Sequence, residues 1–227
     1  MIKMVSYAGV CLTGRRLLHF GCGPEAVPTV WEDYDGSWNL WLQHGWLGKA
    51  IKSVIRKYNG HEWPSHVRYL DLNRPLPFED ASADAIYASH VLEHLYHEDA
   101  LRLLQECRRV LKGGGMLRLV LPDLENMVQA YMTSPDPFAA FELNRQLLFR
   151  EVRRPRSLWK RIYAAVADFH SHKFMYDARL LTALLTAAGF SDIIQHDCHV
   201  SAIPEIKHVE HPGRILNGAG FVLESVK

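Results

Sequence analysis

The chain is predicted to adopt an α/β fold: a mostly parallel sheet with helices on both faces, interrupted late by a helical insertion. Three observations predict it. Short apolar, strand-like runs alternate with stretches whose apolar residues recur at helical spacing. The first such run, Leu17-Leu18-His19-Phe20, leads straight into the glycine-bracketed turn Gly21-Cys22-Gly23. The segment over about residues 122–175 is rich in arginine, helical in pattern and too long for a plain connection, so it reads as an inserted cap.

Taken in order, Arg16–Phe20 reads as a buried strand, and Val30 to Tyr34 leads a second one to its end at Asp35. Only nine residues separate Phe20 from Val30, and they include Pro24 and Pro28. Nine helical residues would advance only about 14 Å, so this connector is expected to be extended, with at most one helical turn. Ser37 is placed to cap a helix from Trp38 to about Lys57, with Trp38, Leu42, Trp46 and Ile55 among its apolar positions. Val67–Leu70 is a short strand ending on Asp71, and Asp84–Ala88 is another, reached through Pro75-Leu76-Pro77-Phe78. From His94 to Leu111 apolar residues recur at helical spacing, and Gly113-Gly114-Gly115 is read as the stop of that helix. Met116–Leu121 is a strand halted by Pro122. After the insertion, Asp177–Ala188 is a helix closed by Gly189, and Ile193–His196 with Phe221–Val226 supply a final antiparallel pair.

Composition sets the class. The 227 residues are 48% hydrophobic and 22% charged, which suits one globular domain over 1–227 with a sizeable core. A formal net charge of +1 gives no overall attraction for nucleic acid. Cys11, Cys22, Cys107 and Cys198 are scattered without a C-x-x-C pair, so neither a zinc knuckle nor a disulfide framework is indicated. No apolar run is long enough for a membrane span or a signal peptide. A cytoplasmic protein without a transmembrane segment is the expectation.

The turn after the first strand carries the functional reading. Gly21 and Gly23 allow close backbone approach to a ligand, and an acid at the tip of the next strand, Asp35, can accept both hydroxyls of a ribose. A dinucleotide site would want a third glycine and a full helix for the pyrophosphate. Neither is present, which disfavours a nicotinamide-dependent oxidoreductase. S-adenosylmethionine carries no phosphate and needs only backbone groups and an acid.

With Leu18-His19-Phe20-Gly21-Cys22-Gly23, Asp35-Gly36-Ser37, Asp71-Leu72, Asp84 to His94, and Arg109 to Gly115, the chain resembles class I S-adenosylmethionine-dependent methyltransferases over nearly its whole length. The resemblance implies a Rossmann-like, mostly parallel seven-stranded sheet and S-adenosylmethionine as cofactor. It implies that Gly21, Cys22 and Gly23 face the methionine end, Asp35 with Gly36 and Ser37 the ribose, and Asp71 with Leu72 the adenine. Ser89 and His90 would lie beside the transferable methyl. Gly36-Ser37-Trp38-Asn39, Leu121-Pro122-Asp123-Leu124 and His172 to Asp177 are similar to methyltransferases often found with bacterial glycan biosynthesis. The short, doubly proline segment after Gly23 departs from the family pattern, where a first helix normally stands.

Plainer readings stand beside these. Asp35 can end a strand and cap a helix, and Asp71 can be a turn residue before Asn73-Arg74-Pro75. His90-Val91-Leu92-Glu93-His94 spells H-x-x-E-H, a zinc-peptidase pattern. It is set aside because His90 falls at a strand end and not inside a helix, so no metal is expected. Arg145, Arg150, Arg153, Arg154, Arg156, Lys160 and Arg161 form a basic stretch that is either a solvated face or a surface for an anionic acceptor. His170, His172 and Tyr176 sit where the cap rejoins the core. The expected function is O-methylation of a small-molecule or glycan acceptor with His90 or His172 as base. A catalytically silent cofactor-binding scaffold is the alternative.

Overall fold

The computed structural model describes residues 14–37, 40–41, 63–147 and 171–227. Its centre is one seven-stranded sheet in the order β3-β2-β1-β4-β5-β7-β6. The strands are β1 (Leu17–Phe20), β2 (Glu32–Asp35), β3 (Arg68–Tyr69), β4 (Ala83–Ser89), β5 (Leu111–Pro122), β6 (Ser191–Gln195) and β7 (Gly220–Val226). The first five pair in parallel, and β7 pairs antiparallel with both β5 and β6. The order reverses between β1 and β4. The carboxyl ends of those two strands therefore bound a crevice, the usual ligand position in open α/β sheets. Helices α1 (His97–Val110), α2 (Leu124–Thr133), α3 (Ala139–Leu147) and α4 (Ala178–Ala187) complete the described elements, with 3₁₀ turns at Leu92–His94, Pro204–His208 and Pro212–Gly218.

Strand alternation divides the core into two layers. Leu18, Phe20, Ile86, Ala88, Leu117, Leu119 and Leu121 point to one face, where Leu103, Leu104 and Cys107 of α1 and Leu181 and Leu185 of α4 cover them. Leu17, Ala85, Tyr87, Val120 and Val222 point to the other. Among the described residues that second layer is closed by Ile203, Ile206, Val209 and Ile215 from the two C-terminal 3₁₀ turns. The connector from Gly21 to Trp31 is non-helical, as its prolines and length required. The helix expected over Trp38–Lys57 lies almost wholly outside the described residues, as do residues 148–170 of the cap.

The triple glycine is not a helix stop, contrary to the sequence reading. Helix α1 ends at Val110 with Leu111 already extended, and β5 starts there and runs through Gly113-Gly114-Gly115. Leu111 pairs with Ala83, but the next paired residue, Met116, sits opposite Ala85. The glycines form a bulge that absorbs the excess residues, with Gly114 at φ 76°. Leu111 is fully buried, so its side chain draws the chain into the sheet as soon as the helix stops.

A buried ionic network lies inside the second layer. Arg118 of β5 is fully buried opposite Glu224 of β7. Its guanidinium meets Glu210 through two hydrogen bonds of 2.8 and 2.7 Å and Glu224 through one of 3.1 Å, and it also donates to the Val200 and Asp197 carbonyls. Removing the cation strands two buried carboxylates. Arg118→Ala should therefore cost about 3–5 kcal/mol of stability, read as a lowered urea midpoint.

Candidate functional site

The carboxyl ends of β1, β2 and β4 meet at the glycine turn. Gly21 has φ 70°, and a Cβ there would lie 2.5 Å from Val91 Cγ2 and 3.2 Å from the Ser89 carbonyl oxygen. Glycine is thus demanded by the packing of the β1 turn against the β4 turn. Gly23 is also left-handed at φ 77°, and a Cβ there would meet Arg214 Nη2 at 3.8 Å, an ordinary contact. The Gly21 and Cys22 amides both point to the Tyr34 carbonyl, at 2.9 and 3.3 Å. The Cys22 side chain turns away into a small cluster with Leu40 and Val67, where burial and the nearby Asp35 and Asp33 push its thiol up. The Cys22 thiol is therefore turned away from the glycine turn.

Asp35 closes over this turn. One carboxylate oxygen accepts from the Gly23 amide at 3.1 Å and the other from the Ser37 amide at 2.8 Å. Burial raises its pKa, and those two amides hold it down in part. Each oxygen keeps a further lone pair for a hydroxyl donor. Gly36 lets β2 and β3 converge, since a Cβ there would stand 3.1 Å from the Leu70 carbonyl oxygen. Asp71 takes the plainer role as well: Oδ1 accepts from the Asn73 amide at 3.0 Å, and Oδ2 pairs with Arg74 at 3.1 Å. Leu72 is buried in the main core and Ser89 is 1% exposed at the end of β4.

A residue the sequence reading missed completes the turn. Arg214, from the 3₁₀ turn before β7, donates to the Gly21 carbonyl at 3.2 Å and to the Cys22 carbonyl. Its own carbonyl accepts from His90 Nε2 at 2.8 Å. No local motif marks an arginine so far along the chain as part of an N-terminal turn. Pro212, Ile215 and Gly218 of the same turn line a cavity of about 420 Å³ together with Asp123, Asn126 and Phe221.

His90 sits at φ 55°, an uncommon conformation for a residue with a side chain. Its Nδ1 lies 3.0 Å from Glu93 Oε1, so both ring nitrogens face acceptors. Burial alone would lower its pKa, but the Glu93 carboxylate and the Arg214 carbonyl raise it. With both ring nitrogens already facing acceptors, neither is turned toward a further partner. His172 is the opposite case. It is 7% exposed, its Nδ1 has no hydrogen-bond partner among the described residues, and burial lowers its pKa despite the Glu93 charge and a hydrogen bond to the Leu147 backbone. Its ring packs edge-on against His94 at 5.0 Å. Tyr176, also buried, has its hydroxyl pushed up to about 12 by burial and by Glu93. His94 starts no helix: it ends the 3₁₀ turn, with Nδ1 3.4 Å from the Ser171 carbonyl. His170 and the basic residues from Arg150 to Arg161 lie outside the described residues, and Arg145 pairs with Glu142 on an exposed face. Among the described residues no helix is long and apolar enough to cross a membrane.

Residues 18–119 match the family model of a methyltransferase domain. A probable S-adenosylmethionine-dependent methyltransferase of Mycobacterium tuberculosis is 39% identical over 69 residues, 30% of this chain and 24% of that protein. One from Mycolicibacterium smegmatis is 36% identical over 143 residues, 58% of this chain and 47% of the relative. The chain spans less than half the length of these curated relatives. Among solved structures, a methyltransferase of Thermotoga maritima superposes with a TM-score of 0.47 at 19% identity, over 93% of this chain and 82% of that one.

The His90–Glu93 contact makes stability pH-dependent. Because His90 titrates above its unfolded value, its contribution is complete below about pH 6.5 and is lost as pH rises through the raised folded value. Urea denaturation should show the advantage of the native chain over His90→Gln greatest in mild acid and shrinking above neutrality. An advantage that grew with pH would contradict this.

Proposed function

We propose that the chain is an S-adenosylmethionine-dependent methyltransferase acting on a hydroxyl of a small-molecule or glycan acceptor. One observation carries the reading: at the β1/β4 switch point, a buried carboxylate is folded onto a glycine turn that an arginine clasps from the other side. The residues fit the cofactor. Gly23 holds the left-handed turn beneath Asp35, Asp35 retains lone pairs for the ribose hydroxyls, and Arg214 offers a cation beside the turn for the methionine carboxylate. Asp71 remains the assigned adenine contact through whatever acceptor capacity its turn leaves. When bound, the cofactor supplies an electrophilic methyl on sulfur.

The rest falls to this chain's side chains. His90, charged and held at both nitrogens, orients Glu93 and ties the β4 turn to Arg214. It does not accept a proton. His172 keeps a buried lone pair and stays neutral to lower pH than an ordinary histidine, so it is the proton acceptor we assign for a hydroxyl. A neutral base poised next to a buried carboxylate suits an alcohol acceptor, whose proton must leave. Burial of His172, Tyr176 and Glu93 keeps bulk water from the same corner. The association with glycan biosynthesis rests on the sequence likeness around His172 and Asp123.

Two measurements test the reading. Calorimetry with S-adenosylmethionine should show binding, and Asp35→Ala should weaken it by about 10–150-fold, the loss of charge-assisted hydrogen bonds. Arg214→Gln should weaken it as well, whereas Arg179→Gln, an exposed arginine on α4, should not. Unaltered affinity in Asp35→Ala would place the ribose elsewhere. With an acceptor in hand, His172→Gln should lower kcat by about 10²–10⁴-fold at unchanged cofactor affinity; retention of full turnover would remove His172 from the reaction.

A further inference from the structure

We propose that Glu93, His94 and His172 form a binding site for one divalent transition-metal ion of the zinc class. Each offers one ligand atom, and these atoms all lie within 4.8 Å of one another. Metal–ligand bonds of about 2.0–2.2 Å then need only modest side-chain rotation to close on a common centre.

Two buried atoms here call for a cation. Glu93 is 0% exposed, and its Oε2 has no hydrogen-bond partner among the described residues. His172 is nearly as buried, and its Nδ1 is likewise unpartnered. A buried carboxylate oxygen and a buried imidazole lone pair left unpaired together are each unfavourable. A single metal ion satisfies both at once. A hydrogen bond between them would satisfy both only if one carried an extra proton, and neither atom makes one.

The surroundings have the form that metal ligands require, in which each ligand is oriented by a second partner. Glu93 Oε1 is held by His90 at 3.0 Å, and His90 is fixed in turn by the Arg214 carbonyl. His94 Nδ1 lies 3.4 Å from the Ser171 carbonyl, and His172 is hydrogen-bonded to the Leu147 backbone. The two chain segments are joined as well, because the Lys173 and Phe174 amides donate to the Glu93 carbonyl at 2.6 and 3.3 Å. Two imidazoles and one carboxylate select zinc, cobalt or iron over calcium and magnesium, which prefer all-oxygen sites. Three protein ligands leave a position open for water or substrate. The H-x-x-E-H motif is thus used differently from a peptidase. His90 supports Glu93 from behind, and His172, from the far side of the cap, supplies the missing ligand.

Metal binding itself goes beyond the methyltransferase reading; only the ion's use rests on it. With an ion bound, the His172 lone pair is a ligand and not a base. The ion would then lower the pKa of a coordinated acceptor hydroxyl, the chemistry that zinc-class ions supply.

The test is calorimetry of the chelator-treated full chain with zinc sulfate, and visible absorption with cobalt(II). One equivalent should bind near neutral pH, with a cobalt spectrum showing nitrogen and oxygen ligation. Glu93→Gln and His172→Ala should abolish that binding, and His90→Gln should weaken it by about 10–100-fold. His94→Gln serves if a buried variant fails to fold. S-adenosylmethionine affinity is measured on the same samples. No zinc binding, or zinc binding unchanged by these substitutions, overturns the proposal whatever the cofactor titration shows. Zinc binding with no affinity for S-adenosylmethionine would instead overturn the cofactor reading and leave the metal site standing.

Discussion

The buried Arg118 guanidinium is the contact on which the site's geometry rests. It joins β5 to Glu224 on β7 and to Glu210 at the end of the returning C-terminal segment. Four residues beyond Glu210, Arg214 reaches the carbonyls of the glycine turn and holds His90 through its own carbonyl. A buried ion pair gains little net stability, because desolvation offsets most of its attraction, and an apolar cluster could serve as well. What apolar packing would not supply is position. Bidentate Arg118–Glu210 pairing fixes where the segment crosses the second layer, and hence where Arg214 arrives.

From that anchor the site separates its ionisable groups by environment. His90 and His172 both lie near Glu93, yet their pKa values move in opposite directions. The difference is in hydrogen bonding: both His90 nitrogens face acceptors, whereas His172 has one nitrogen with no partner among the described residues in a buried setting. Two histidines with opposed shifts can divide two roles, one holding charge and the other a lone pair. Burial moves Asp35 upward, and the Ser37 and Gly23 amides oppose that shift.

Much of this was legible in the sequence. Each strand of the sheet was found in the sequence within a few residues, and the parallel-then-antiparallel pattern follows from the helix and loop spacing. Asp35 and the glycine turn were found because their chemistry is local. Local reasoning also produced the errors. Three glycines after a helix look like a stop, but a buried Leu111 pulls the chain into β5 first, and register then decides what the glycines do. His90 looked like a free base because a sequence does not show that a carbonyl 124 residues later would occupy its Nε2. Arg214 and the Glu93–His94–His172 cluster were invisible for the same reason, since both are brought together only by the closing of the sheet.

Gly21 shows how fold and function come to share one residue. A Cβ there would strike Val91 and crowd the Ser89 carbonyl, so the turn needs glycine for the packing of β1 against β4 alone. That same close approach is what brings the ends of the two strands together at the switch point, with Asp35 on one flank and His90 on the other. Any sequence that closes this sheet with so tight a junction brings the same strand ends together there. The chemistry is then set by what later segments deliver to its rim. In this chain Arg214 is delivered to the glycine turn, and His172 is delivered to Glu93 and His94.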